Sequence, residues 1–193
     1  MITALIRYVP NVLTTARLLL AVPIGYLIFH EKYDLVLWLA LFAGLSDGID
    51  GWLARIMGAQ TRYGAVVDPL SDKALLTASY LAFAMVGLVP WWFTTLVVAR
   101  DILIVAGALA YHTVYGRYKM QPTILGKTST LFQIAFALLL IAEQVFSKLP
   151  TSVLNITFLF VVVLTFISGI HYTYIWGGKA WEQRKAHIAG KRL

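Results

Sequence analysis

Six apolar stretches, at 12–29, 35–56, 65–88, 91–114, 125–146 and 153–176, fill most of this chain. Each reaches the length, about 17 to 25 residues, that a helix needs to cross a bilayer. Between them lie polar and helix-breaking links: His30-Glu31-Lys32, Gln60-Thr61-Arg62, Val89-Pro90, Gly116 to Pro122 and Lys148-Leu149-Pro150. Composition points the same way, because 60% of the 193 residues are hydrophobic and only 13% are charged, against roughly 25% charged in an ordinary soluble domain. Disorder is excluded by the 6 Trp, 10 Tyr and 10 Phe. The expected fold is an all-α integral-membrane protein with six transmembrane helices and a short N-terminal amphipathic segment. The first stretch is preceded by Arg7, lacks a small-residue cleavage site and is followed by more spans, so it reads as a retained helix. With no cysteine, any metal must sit on oxygen or imidazole.

Charge sets the expected orientation. Arg7, Arg17, Arg55, Arg62, Arg117, Lys119, Lys127, Lys179, Arg184, Lys185, Lys191 and Arg192 fall on one side of a six-helix serpentine. Only Lys32 and Lys148 fall on the other, and Lys73 and Arg100 lie within helices. The positive-inside bias therefore places both termini in the cytoplasm. Residues 1–178 form the expected membrane domain and 179–193 a basic cytoplasmic tail, facing anionic lipid headgroups rather than nucleic acid. Asn11, Thr14 and Arg17 recur at helical spacing near the start. They suit a lipid-phosphate contact, or simple snorkelling of Arg17 to the headgroups.

The acidic residues carry the chemistry. Five of the nine, Asp47, Asp50, Asp68, Asp72 and Asp101, lie inside apolar stretches, where an uncompensated carboxylate costs at least about 2.5 kcal/mol. Asp47 and Asp50 are three apart and Asp68 and Asp72 four apart, so each pair shares a helix face. Both pairs lie toward the short link from Met57 to Tyr63, which suggests antiparallel neighbours with converging carboxylates. Four such groups repel one another unless a hard divalent cation sits among them. Mg²⁺ or Mn²⁺, as a pair of ions, fits. The competing reading pairs Asp50 with Arg55 and Asp72 with Lys73 or Arg100 as helix adhesive, although small residues and hydroxyls serve that purpose more simply. Gly51, Ala54 and Gly64 leave room for close approach or tight packing, and Arg55 can fork onto a phosphate.

Asp47-Gly48-Ile49-Asp50-Gly51-Trp52-Leu53-Ala54-Arg55, followed after eight residues by Gly64 and then by Asp68 and Asp72, matches DxxDGxxARx8GxxxDxxxD at all eight fixed positions. This resembles the signature of the CDP-alcohol phosphotransferases. The resemblance implies that Asp47, Asp50 and Asp68 ligate the metals and that Asp72 completes the second metal site and acts as general base. It also implies a cytidine pocket at Gly51, Ala54 and Gly64, with Asp47 close to the nucleotide and Arg55 on the diphosphate. An acceptor hydroxyl would attack the lipid-side phosphorus of a CDP-activated lipid and expel CMP. A homodimer, with its active site on the cytoplasmic side, is a further implication.

Asp68-Pro69-Leu70-Ser71-Asp72-Lys73 and the Asn11, Thr14, Arg17 start look like the branch that uses CDP-diacylglycerol and a glycerol-based acceptor. Within it, Arg100-Asp101, Ala108 where a second arginine is expected, and the run from Pro122 to Lys127 resemble the type that accepts phosphatidylglycerol, forming cardiolipin. Glycerol 3-phosphate is the alternative acceptor. Arg100 and Lys127 are the acceptor-binding candidates, with Arg100 alternatively paired to Asp101 or Asp72 inside the bundle. Gln133 and Thr130 either reach the acceptor or bond between helices. A divalent-cation transporter would also explain intramembrane aspartates, but it gives Gly51, Ala54, Arg55 and Gly64 no task.

Overall fold

The computed structural model describes the backbone of residues 2–57, 62–115, 123–147 and 149–190, and side chains chiefly over 18–45, 71–107, 123–147 and 149–178. Six helices make up the described chain: α1 (Ile2–Phe29), α2 (Tyr33–Met57), α3 (Arg62–Met85), α4 (Trp91–Tyr115), α5 (Ile124–Phe146) and α6 (Thr151–Gly190). No strand occurs among the described residues. Each apolar stretch of the sequence lies on one helix, save that 65–88 runs three residues past the end of α3 at Met85. Two further ends differ from expectation. α1 begins at Ile2, so the short N-terminal segment expected before the first span is continuous with the first helix. α6 has 40 residues, about 60 Å at 1.5 Å per residue, and it carries the helix well past residue 178.

The links stop the helices by local chemistry. After α3, Gly87 adopts φ +81°, and the Leu88 N–H donates to the Phe83 carbonyl at 2.8 Å, a six-to-one closure that glycine permits without a Cβ clash. Glu31 takes the same left-handed role after α1 at φ 57°, with the Lys32 N–H donating to the Leu27 carbonyl. Ser147 ends α5 at φ 48°, and the Glu143 carboxylate accepts from the Leu149 N–H at 2.8 Å. At the other end of α5, the Thr123 hydroxyl accepts from the Gly126 N–H and caps the helix.

α3 packs on α1, α4 and α5, and α6 packs on α4 and α5. Among the described residues α2 packs on α1 and α5; the ends of α2 and α3 that flank the short link lie outside the described side chains. α1 and α3 approach closely: a Cβ on Gly25 would lie 3.6 Å from the Ala78 carbonyl, a small-residue contact of the sort that brings helices together in lipid. The apolar core joins Ile24 and Ile28 of α1, Val36 of α2, Tyr80 and Phe83 of α3, Phe93 and Val97 of α4, Phe136 of α5 and Val161 of α6. Phe93 is its centre, edge-on to Tyr80, Phe136 and Phe158 with centroid separations of 5.3, 6.1 and 4.9 Å.

The outside is as apolar as the inside. Val22, Trp38 and Ile124 are 76%, 72% and 85% exposed, far more apolar surface than a soluble monomer leaves uncovered. Ile124–Phe146 and Thr151–Gly178 are long and apolar enough to cross a membrane, and Leu18–Phe29 and Tyr33–Leu45 are shorter apolar helices. The protein is membrane-associated.

Candidate active site

Helix geometry places the motif on two segments flanking one short link. Asp47, Asp50, Gly51, Ala54 and Arg55 occupy the last three turns of α2, and Gly64, Asp68 and Asp72 follow from the start of α3. Both aspartate pairs are held in helical backbone, so the one-face spacing of each pair is kept. The side chains of Asn11, Thr14, Arg17, Asp47, Asp50, Arg55 and Asp68 lie outside the described residues, as do the surroundings of Gly51, Ala54 and Gly64. Asp72 is half-buried beside the fully buried Ser71. Four aspartates, if brought together, would offer an all-oxygen donor set of the kind that suits hard divalent ions such as Mg²⁺ or Mn²⁺. Among the described residues no group of three or more His, Asp or Glu could hold a metal.

At the residue after Asp72 on α3 begins a largely buried polar network. Lys73 Nζ lies 3.1 Å from Asp101 Oδ1, and Arg100 Nη1 donates to the same oxygen at 2.7 Å. Arg100 is 4% exposed, and all three guanidinium nitrogens are occupied. Nε and Nη2 donate to Ser168 Oγ at 3.2 and 3.0 Å. Nη2 also donates to the Gly126 carbonyl at 2.9 Å, and Nη1 reaches Thr130 Oγ1 at 3.3 Å. The guanidinium carbon sits 5.9 Å from the centre of the Tyr172 ring, within cation–π range. Of the two roles the sequence left open for Arg100, the internal pairing is the one its geometry displays.

The first turn of α5 is clamped by this network. The Tyr172 hydroxyl accepts from the Thr123 N–H at 3.3 Å, and a Cβ on Gly126 would stand 2.5 Å from that same hydroxyl. Only glycine fits there. Lys127, next in the chain, points into the open, being exposed and without an ion-pair partner among the described residues. Thr130 and Gln133 bond between and along helices: Thr130 donates to the Gly126 carbonyl, and fully buried Gln133 donates from Nε2 to Thr165 Oγ1 at 2.9 Å.

Thr165, Ser168 and Tyr172 of α6 are functional neighbours that sequence reasoning passed over. A signal was there. Spaced three and four apart on an otherwise apolar helix, they mark one polar stripe, and that stripe faces Arg100 and Gln133.

Comparison with known proteins agrees with the motif. The sequence model described as CDP-alcohol phosphatidyltransferase matches residues 7–171. A cardiolipin synthase (CMP-forming) of Homo sapiens is 29% identical over 187 residues, covering 89% of this chain and 62% of that protein. The Rattus norvegicus cardiolipin synthase gives the same identity and coverage, so the chain spans about 62% of the length of these two relatives. A CDP-diacylglycerol–glycerol-3-phosphate 3-phosphatidyltransferase of Aquifex aeolicus is 34% identical over 172 residues, 86% of this chain and 93% of that protein. A match that runs through α1 to α6 and contains every motif aspartate leaves one conclusion: the chain belongs to the CDP-alcohol phosphatidyltransferase family.

Proposed function

We propose that this protein transfers a phosphatidyl group from CDP-diacylglycerol to a hydroxyl of phosphatidylglycerol, releasing CMP and forming cardiolipin. The eight-position motif across the end of α2 and the start of α3, within the family match, carries the reaction class. Its relatives divide between two acceptors, since some are cardiolipin synthases and another acts on glycerol 3-phosphate. The state of Arg100 favours the first. With its nitrogens spent and its charge answered by Asp101, Lys127 is left as the outward cation of that region among the described residues. One lysine suits the single charge of a phosphodiester better than the double charge of a phosphomonoester.

In this reading Asp72 takes the proton of the acceptor hydroxyl as its oxygen attacks the lipid-side phosphorus. The phosphorus–oxygen bond to CMP breaks and CMP leaves. Arg55 holds the diphosphate in a forked contact, Gly51, Ala54 and Gly64 leave space for the cytidine, and Lys127 holds the acceptor phosphate. Asp47, Asp50, Asp68 and Asp72 would hold two Mg²⁺ or Mn²⁺ ions, which when bound neutralise the diphosphate and the departing CMP. Asn11, Thr14 and Arg17 would meet lipid phosphate. The enzyme is read as a six-span homodimer with both termini, the basic tail and the active site on the cytoplasmic side, as the twelve lysines and arginines of that side support.

The deciding experiment offers purified protein CDP-diacylglycerol, Mg²⁺ and either acceptor, and identifies the lipid formed. CMP release with phosphatidylglycerol supports the proposal. Release with glycerol 3-phosphate alone replaces it with the second acceptor, and metal flux in liposomes without any turnover makes the protein a transporter.

A further inference from the structure

Three ionised groups, Lys73, Arg100 and Asp101, meet within an apolar bundle and together carry a formal charge of +1. Such a cluster is a poor adhesive. Burying ions costs more than apolar packing of the same volume, and in lipid small residues join helices at less expense, as Gly25 and Ala78 do between α1 and α3. What the cluster does offer is direction, because each bond has a fixed length and angle.

Its two ends are informative. At one end, Asp101 grips Lys73, the residue after Asp72 on α3. At the other, Arg100 grips the Gly126 carbonyl, the residue before Lys127 on α5. The α5 turn has no slack to absorb a shift, since Thr123 caps it, the Tyr172 hydroxyl holds the Thr123 N–H, and that hydroxyl also fills the space beside Gly126. α6 backs the arrangement through Ser168.

We propose that Arg100 and Asp101 are positioning residues for the transfer reaction: through Lys73 and the Gly126 carbonyl they set the spacing between Asp72 on α3 and Lys127 on α5, touching neither substrate. The inference rests on the transferase reading for its kinetic consequence, but its structural content stands apart from it. Asp101 is the discriminating residue. An anion does not hold a phosphate, and Asp101 Oδ1 is already shared by Lys73 and Arg100, so an effect of its loss on acceptor use that comes with a changed α3–α5 distance travels through the groups it holds. Were Arg100 instead a direct acceptor ligand, releasing it from Asp101 would strengthen acceptor binding.

The test combines distances with kinetics. The chain has no cysteine, so spin labels can be placed at Thr77→Cys on α3 and Ile124→Cys on α5 without background. Asp101→Asn and Lys73→Met should broaden or shift the distance distribution, and Lys73→Arg should restore it. In turnover, Asp101→Asn should raise the acceptor KM about tenfold and lower kcat, with the KM for the CDP-lipid held within about twofold. If Asp101→Asn fails to fold, the double variant R100Q/D101N, which removes both charges together, is expected to show the same broadening and the same KM split. An unchanged distance distribution overturns the proposal, as does a lowered acceptor KM or an equal rise in both KM values. Wild-type protein with no turnover on either acceptor would sink the transferase reading alone, and the distances would still decide the network.

Discussion

α4 passes through two regions built on different physics, a short way apart. Around Phe93 and Val97, both fully buried, contact is aromatic and aliphatic, with Tyr80, Phe136 and Phe158 packed edge to face. Around Arg100 and Asp101, in the next turn, contact is ionic and hydrogen-bonded and reaches α3, α5 and α6. The first region holds helices together by shape, which tolerates a swap of similar volume. The second holds them at set distances, which no apolar swap reproduces. Only the second adjoins Asp72 and Lys127, so on the proposed function stability and chemistry would be drawn from separate ends of the bundle.

That separation can be broken by experiment. The largest effect is expected from Asp72→Asn, which should lower turnover on the order of 10³-fold, as loss of a general base does, while leaving CDP-lipid binding nearly intact. Near-normal CMP release from that variant would remove Asp72 as the base. Phe93→Ala should destabilise the bundle by about 3 kcal/mol through the cavity it leaves, read as a lower Tm in detergent. Its folded fraction should retain both KM values, and a changed acceptor KM would show that the two ends are not independent. Lys127→Ala should raise the acceptor KM about tenfold, near 1.4 kcal/mol, and a parallel rise for the CDP-lipid would count against an acceptor contact there. The smallest effect is expected far from both regions: Glu31→Gly should stabilise by about 0.5 kcal/mol, by relieving a left-handed backbone conformation in a side-chain-bearing residue. A lower Tm in that variant would mean that the Glu31 side chain contributes something its backbone strain conceals.

Much of the fold was legible along the chain because a bilayer demands it. Apolar runs of span length have to become helices when no water is available for their backbone groups, and the runs at 35–56, 91–114 and 125–146 lie on α2, α4 and α5 with ends within a few residues. The ends of α1 and α6 were not legible. Hydropathy reports where lipid stops and says nothing of where hydrogen bonding stops, so α1 begins at Ile2 and α6 continues to Gly190. The Glu143 carboxylate closes the α5–α6 link through the Leu149 N–H, a local contact that charge alone does not disclose.

Sequence by itself determined the helices and the family, because both rest on short-range patterns: span-length apolar runs, and a motif whose aspartates, three and four residues apart, share one helical face. Tertiary structure decided the partners. Which helix lies against α3, whether Arg100 looks outward or inward, and why residue 126 must be glycine depend on contacts between residues far apart in the chain, such as Arg100 with Ser168 and Gly126 with Tyr172. Two helices of equal hydropathy pack equally well in lipid, so only the placement of small and polar side chains chooses between them.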